Sequence, residues 1–138
     1  MSELLTASIT VLTGVIIYIL GQYFLKLILE PIFELRKAIA RINYLIVYYA
    51  NKMYTPSQQS EYVRDELRAS ASRLLELMHL PAWYGLSRRF FDMPDEGSLL
   101  ASIHQVIGLS NSVGKQTPYD PKDERIKEIR KLLQLREI

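Results

Sequence analysis

Between Leu4 and Leu25 the chain runs for 22 residues without a charge. At about 1.5 Å per residue, a helix of that length crosses a hydrocarbon core of roughly 30 Å. A cleaved signal peptide would open on a basic region and close on an Ala-x-Ala-like site. Here the run follows Met-Ser-Glu and closes on Gly-Gln-Tyr-Phe-Leu, with Lys26 next. We therefore expect a retained transmembrane helix over residues 1–30 and a separate unit over residues 31–138. Glu3 is the one side-chain charge before the run, whereas Lys26, Arg36, Lys37 and Arg41 gather after it. Basic residues remain on the cytoplasmic side, so the N-terminus is expected outside and residues 26–138 inside. A formal net charge of +2 and a mean hydropathy of +0.01 average over these two unlike parts. The chain has no cysteine, so disulfide and thiolate chemistry are excluded.

The apolar run has two faces. At 100° per residue, Thr6, Ala7, Thr10, Thr13, Gly14 and Gly21 share a stripe of about 120°, interrupted by Ile17. Leu5, Ile9, Leu12, Ile16, Leu20 and Tyr23 fill the opposite side, and Ala7, Gly14 and Gly21 repeat every seven residues. Lipid supplies no hydrophobic drive for helices to meet, so close approach at small residues and hydroxyl hydrogen bonds must supply it. The stripe is expected to be a self-association face, either a dry seam or the lining of a pore built from many copies. The alternative is harmless back-bonding of ordinary membrane Thr and Gly.

After Glu30-Pro31 the pattern changes. Pro31 suits the first turn of a new helix or a kink in a continuing one. Ile32, Leu35, Ile39, Ile42, Ile46, Tyr49 and Met53 then recur at intervals of three and four. A helix over 31–54 in register with the span could carry an oligomer onward through this seam. Equally, the seam could be the inner face of the first helix of an intramolecular bundle. Near Tyr44-Leu-Ile-Val-Tyr-Tyr-Ala50 the helix is apolar on more than one side and could serve both ends.

Turn signals divide the remainder. Thr55-Pro56-Ser57-Gln58 has the form of a capping box, with Thr55 as N-cap, and predicts a helix to about Leu80 stopped by Pro81. Its inward residues are Val63, Leu67, Leu74 and Leu77. A short helix is expected near Leu86 to Phe91. A further helix follows from Glu96, apolar at Leu99, Leu100, Ile103, Val106 and Ile107, and ends near Gly114. Asp120-Pro121 opens a last helix, with Asp123 and Glu124 at its start and Arg130, Lys131 and Arg136 toward its end. No stretch alternates with period two. The fold class is all-α: one N-terminal transmembrane helix followed by a bundle of about four main helices.

Chemistry-bearing residues are few. The two histidines, His79 and His104, sit in no metal-spaced cluster, no Gly-rich phosphate loop occurs, and no cofactor or DNA partner is expected. Arg73-Leu-Leu-Glu-Leu-Met-His79 resembles the Arg-x(4–6)-His element of the HEPN superfamily, four-helix domains that include dimeric ribonucleases. That resemblance implies Arg73 on phosphate and His79 exchanging protons with a ribose hydroxyl. The two lie about 240° apart around a helix, however. The expectation is therefore non-catalytic, with Arg73 paired to Glu66 or Glu76 and His79 near a helix C-terminus. Arg88-Arg89 beside Phe90-Phe91 is expected at lipid headgroups or on an anion.

The layout, with Leu29-Glu-Pro-Ile32, Arg36-Lys37, Ile39, Tyr48-Tyr-Ala-Asn51 and Ile107-Gly-Leu-Ser-Asn-Ser112, resembles a group of small single-pass bacterial membrane proteins with a helical cytosolic part. In architecture it is also similar to the membrane accessory proteins of type VI-B CRISPR systems, which join a membrane helix to a divergent HEPN-like bundle in a ring-shaped pore. These resemblances imply a bacterial inner-membrane protein with a periplasmic N-terminus. They imply homo-oligomers acting as a pore or membrane-perturbing effector in anti-phage defence, answering to a cytosolic protein or nucleotide. A membrane-anchored adaptor for a cytosolic partner is the alternative, and a tethered nuclease the third.

Overall fold

The computed structural model describes residues 2–54, 56–79, 84–115 and 121–135. Among them the chain is all-helical, without a strand. Its five helices are α1 (Ser2–Tyr48), α2 (Gln58–Met78), α3 (Tyr84–Phe91), α4 (Glu96–Ser112) and α5 (Lys122–Leu132). The first is 47 residues long, and its N-terminal part is long and apolar enough to cross a membrane. No residue of Ser2–Phe24 is buried by the rest of the chain.

Pro31 does not begin a new helix. The chain continues through it by way of one π-helical turn, Leu25–Leu29, in which the Glu30 N–H donates to the carbonyl of Leu25. A proline in a regular helix leaves a carbonyl unpaired and presses its ring on the carbonyl four residues back, here Leu27. Widening the turn just before Pro31 accommodates that ring without breaking the rod.

Beyond the turn, α1 becomes amphipathic. Ile32, Leu35, Ile39, Ile42 and Ile46 are all buried, as is Met53 after the helix. Of the two roles open to this seam, the structure takes the intramolecular one. These five residues pack in the chain's own core with Val63, Leu67, Ala71, Leu74 and Leu77 of α2, and are not displayed to a second copy. α2 lies between α1 and α4, and α5 packs on α4. The inner face of α4 is Leu99, Ser102, Ile103, Val106, Leu109 and Ser110. Leu100 and Ile107, expected inside, are 44% and 40% exposed. Each lies one residue, about 100°, past the face. The serines take interior positions because their hydroxyls satisfy themselves on their own helix: Ser102 donates to the Leu99 carbonyl and Ser110 to that of Ile107, both at 2.6 Å.

The caps explain where the helices start. Ser57, not Thr55, is the N-cap of α2. The Ser60 N–H donates to Ser57 Oγ at 3.1 Å, and the Ser57 N–H donates to Ser60 Oγ at 2.8 Å. This reciprocal pair needs a side-chain acceptor three residues on, which Ser60 supplies. Thr55 itself lies outside the described residues, as do Leu80, Pro81, Asp120 and Arg136. α2 ends at Met78 with His79 as its C-cap. Asp95 caps α4 by accepting from the Ser98 N–H at 2.6 Å. After α4, Gly114 turns the chain at φ +78°. Its N–H donates to the Met53 carbonyl at 2.8 Å, tying the end of α4 to the loop after α1. Lys122 opens α5 from a buried position, donating to the Lys115 carbonyl and standing 5.4 Å over the Tyr54 ring. The Tyr54 hydroxyl donates to Asp123.

Candidate functional site

Four regions hold the residues with functional potential. The first is the small-residue stripe. Thr6 and Thr10 donate to the carbonyls of Ser2 and Thr6, at 2.8 and 2.9 Å, so these hydroxyls are satisfied within their own helix. A side chain built at Gly14 or Gly21 would meet nothing within 4 Å. The face formed with Ala7 and Thr13 is therefore open along its length.

The second region is the groove between α1 and α2, a shallow hollow of about 290 Å³ lined by Glu34, Lys37, Ala38, Arg41, Ala69, Ser70 and Arg73. Arg73 is 3.0 Å from Glu76 on its own helix and 3.7 Å from Glu34 on α1. Glu34 also accepts from Lys37 at 3.0 Å. The Lys37 hydrogen bond and charge, and then the Arg73 charge, hold the Glu34 carboxyl below its ordinary value. Glu66, the other expected partner of Arg73, pairs instead with Arg41 at 2.9 Å. His79 is exposed beyond the last turn of α2, and no hydrogen bond joins it to Arg73. The ribonuclease pair that the HEPN-like spacing implies is thus not assembled within one chain. Its arginine stands instead in exposed ion pairs with Glu76 and Glu34.

The third region is an aromatic patch at the far end of α1. Tyr44 and Tyr48 stack at 5.3 Å, Tyr48 meets Tyr49 edge-on at 4.8 Å, and Tyr49 meets Tyr62 of α2 at 5.8 Å. Arg41 lies 5.1 Å over the Tyr44 ring. Its bond to Glu66 leads the causes that raise its pKa further. Tyr44, Tyr48 and Tyr62 are 44%, 67% and 46% exposed, so the patch faces outward. The doubly apolar character of residues 44–50 pointed to this face. The contribution of Tyr62 came from α2 packing and had no local signal.

The fourth region is α3. Tyr84 and Ser87 point inward, and the Tyr84 hydroxyl donates to the Pro94 carbonyl at 2.6 Å. Burial pushes that hydroxyl up to about 12. Arg36 of α1 clamps the end of α3 and the loop after it, donating to the Phe91 carbonyl and, at 3.4 Å, to the Met93 sulfur. Between α3 and α1 lies an apolar cleft of about 500 Å³, lined by Phe24, Ile28, Leu86, Ser87, Phe90 and Phe91. The expected basic pair divides here. Arg88 is half-buried and near enough to Asp95 to help keep that carboxyl ionised, whereas Arg89 is exposed. One residue apart on a helix, they look about 100° away from each other and form no single anion grip.

No group of three or more His, Cys, Asp or Glu suited to a metal occurs among the described residues. Compared with known protein families, curated proteins and solved structures, the chain finds no match.

Proposed function

We propose that this protein acts in the membrane by assembly rather than by catalysis. Copies pack through the small-residue face of the span. The bundle, carried on the same helix, receives the cytosolic protein or nucleotide that governs that packing. The observation that carries this reading is the phase of α1. Counted as an uninterrupted α-helix, the stripe of Thr6 to Gly21 and the seam of Ile32 to Ile46 would lie on one line. The π turn at Leu25–Leu29 accommodates about one extra residue and sets the seam back by about 100°. The bundle then sits to the side of the stripe rather than beneath it, and a second span reaches Gly14 and Gly21 without meeting the first copy's bundle. A ring of such spans would permeabilise a bacterial inner membrane, as the resemblance to defence-associated pores implies.

The test is mass in detergent by native mass spectrometry, together with membrane potential during expression. We expect an oligomer that loses copies in Gly14→Leu and Gly21→Leu and keeps them in Leu12→Ala and Ile16→Ala. We also expect depolarisation that follows the oligomer and survives His79→Ala. A monomeric parent would end the reading. A second reading, an adaptor that holds a cytosolic protein, draws on the exposed patch of Tyr44, Tyr48 and Tyr62 with Arg41. Tyr and Arg of this kind are the residues that dominate protein interfaces. An oligomer that forms without depolarising the cell favours it.

A further inference from the structure

The eight residues of α3 have two apolar faces, although a helix at the edge of a bundle needs one. Tyr84, Ser87 and half-buried Phe91 supply the inner one. Leu86 and Phe90, one turn apart, point elsewhere and are 56% and 80% exposed. They do not stand alone. They form one wall of the cleft whose other wall is Phe24 and Ile28 of α1, and exposed Leu27 and Phe33 extend the apolar surface along α1.

The position of that cleft identifies what covers it. The uncharged run from Leu4 to Leu25 is 22 residues, about 33 Å of helix, close to one hydrocarbon thickness. With Leu4 at one edge of the hydrocarbon, Phe24 lies at the other. The cleft therefore opens at the depth where acyl chains meet headgroups, and lipid that touches Phe24 also reaches Leu86 and Phe90. The charges agree. Lys26 on α1 and Arg89 beside Leu86 on α3 are both exposed, cations at the level of phosphates. Arg36 holds α3 against α1 in this position through the Phe91 carbonyl.

We propose that α3 is a membrane-surface helix: Leu86 and Phe90 insert into the phospholipid leaflet beside Phe24 and Ile28, acyl chains fill the cleft, and Arg89 meets the headgroup phosphates. Helices of this type sink about 5–10 Å into the boundary between headgroups and acyl chains. Two attachments, the span and α3, then fix the tilt of the bundle on the bilayer. The proposal rests on reading the start of α1 as a membrane span, and its test treats the two separately.

The chain has no cysteine, so single-cysteine variants of the full-length protein carry one spin label each. The labels go at Leu86→Cys and Phe90→Cys, with Ile16→Cys on the lipid side of the span and Ser72→Cys on the exposed face of α2 as references. All four sites are exposed, so labelling leaves the core intact. The protein is reconstituted in vesicles of phosphatidylcholine and phosphatidylglycerol, and collision with oxygen is compared with collision with a water-soluble nickel chelate. The expected oxygen-to-nickel ratio is highest at 16, several-fold above the Ser72 value at 86 and 90, and lowest at 72. Ratios at 86 and 90 equal to that at 72, with 16 in lipid, overturn the proposal and leave the span standing. A low ratio at 16 removes the span, and the proposal with it. Protection of 86 and 90 from both reagents means that protein covers them, which also overturns it.

Discussion

The placement of the α1 seam inside the bundle makes a quantitative prediction for Ile42→Ala. Ile42 is fully buried in the core that joins α1 to α2. The substitution removes three methyl or methylene groups, about 2.4 kcal/mol at ~0.8 kcal/mol each. The cavity left behind raises the cost to about 3–4 kcal/mol, within the usual range for Ile→Ala. For a bundle of this size each kcal/mol lowers Tm by about 4–8 °C, so a fall of about 12–32 °C is expected. Val47→Ala, at a position 43% exposed, serves as control and should stay within about 0.5 kcal/mol of the parent. The assay is thermal unfolding in detergent followed by near-ultraviolet circular dichroism, at two protein concentrations tenfold apart, with mass measured by light scattering. The Tm loss should be the same at both concentrations, and the oligomer mass below the transition should match the parent's. An unchanged Tm with a reduced mass would mean that Ile42 packs between copies, and would refute the placement.

Two further predictions concern the bundle. Gly114→Ala forces a side chain into the left-handed region and sets its Cβ 3.3 Å from Ser60 Oγ; a loss of about 1–2 kcal/mol is expected in urea unfolding, with Gly114→Asn recovering part of it. The Asp95 carboxyl is held below its ordinary value, first by the Ser98 N–H and then by the Ser98 side chain. Its contribution is thus present above the unfolded-state pKa of about 3.9 and is lost as pH falls through the folded value. Asp95→Asn keeps a capping side chain and should flatten the dependence of Tm on pH below about 4, without changing it at pH 7.

The helices were legible because their signals are local. The three-and-four spacing from Ile32 to Met53, the glycine at 114 and the acidic start and basic end of α5 each constrain a few neighbouring residues and needed no tertiary knowledge. Three features were not legible for the converse reason. Ser57 displaced Thr55 as cap because the pairing partner was Ser60, and both sites offer plausible capping chemistry until the backbone is placed. Leu100 and Ile107 are as hydrophobic as their buried neighbours, and only the packing of α4 against α2 and α5 decides which line of the helix is inside. The cleft of Phe24, Ile28, Leu86 and Phe90 joins residues some sixty positions apart, each of which alone reads as an ordinary apolar residue. At the Arg73 site the sequence supplied the pairing with Glu76. It did not supply Glu34, which arrives from another helix.

The π turn is where the two halves of α1 are reconciled, and removing it tests whether their relative phase matters. Sequence spacing alone aligns Ala7, Gly14 and Gly21 with Leu35 and Ile42, every seventh residue with Ile28 between them. An uninterrupted helix would therefore hang the bundle on the side that carries the stripe, where a neighbouring span would enter in the proposed assembly. The turn at Leu25–Leu29 rotates one half against the other by about 100°. Replacing Pro31 by Ala, with every residue kept, allows a regular helix to run through. The proline that favours the wide turn is gone, and the residue count returns the stripe to the bundle side. Because Leu27 and Pro31 both lie outside the core cluster, the bundle should keep its Tm to within a few degrees. Oligomer mass in detergent should fall toward that of the monomer. Also deleting Leu27, a residue 49% exposed, should restore it, because a regular helix one residue shorter has the phase of the wide turn. If the full-length Pro31→Ala helix assembles as the parent does, the rotation has no part in assembly, and the phase of α1 cannot be what admits a second span.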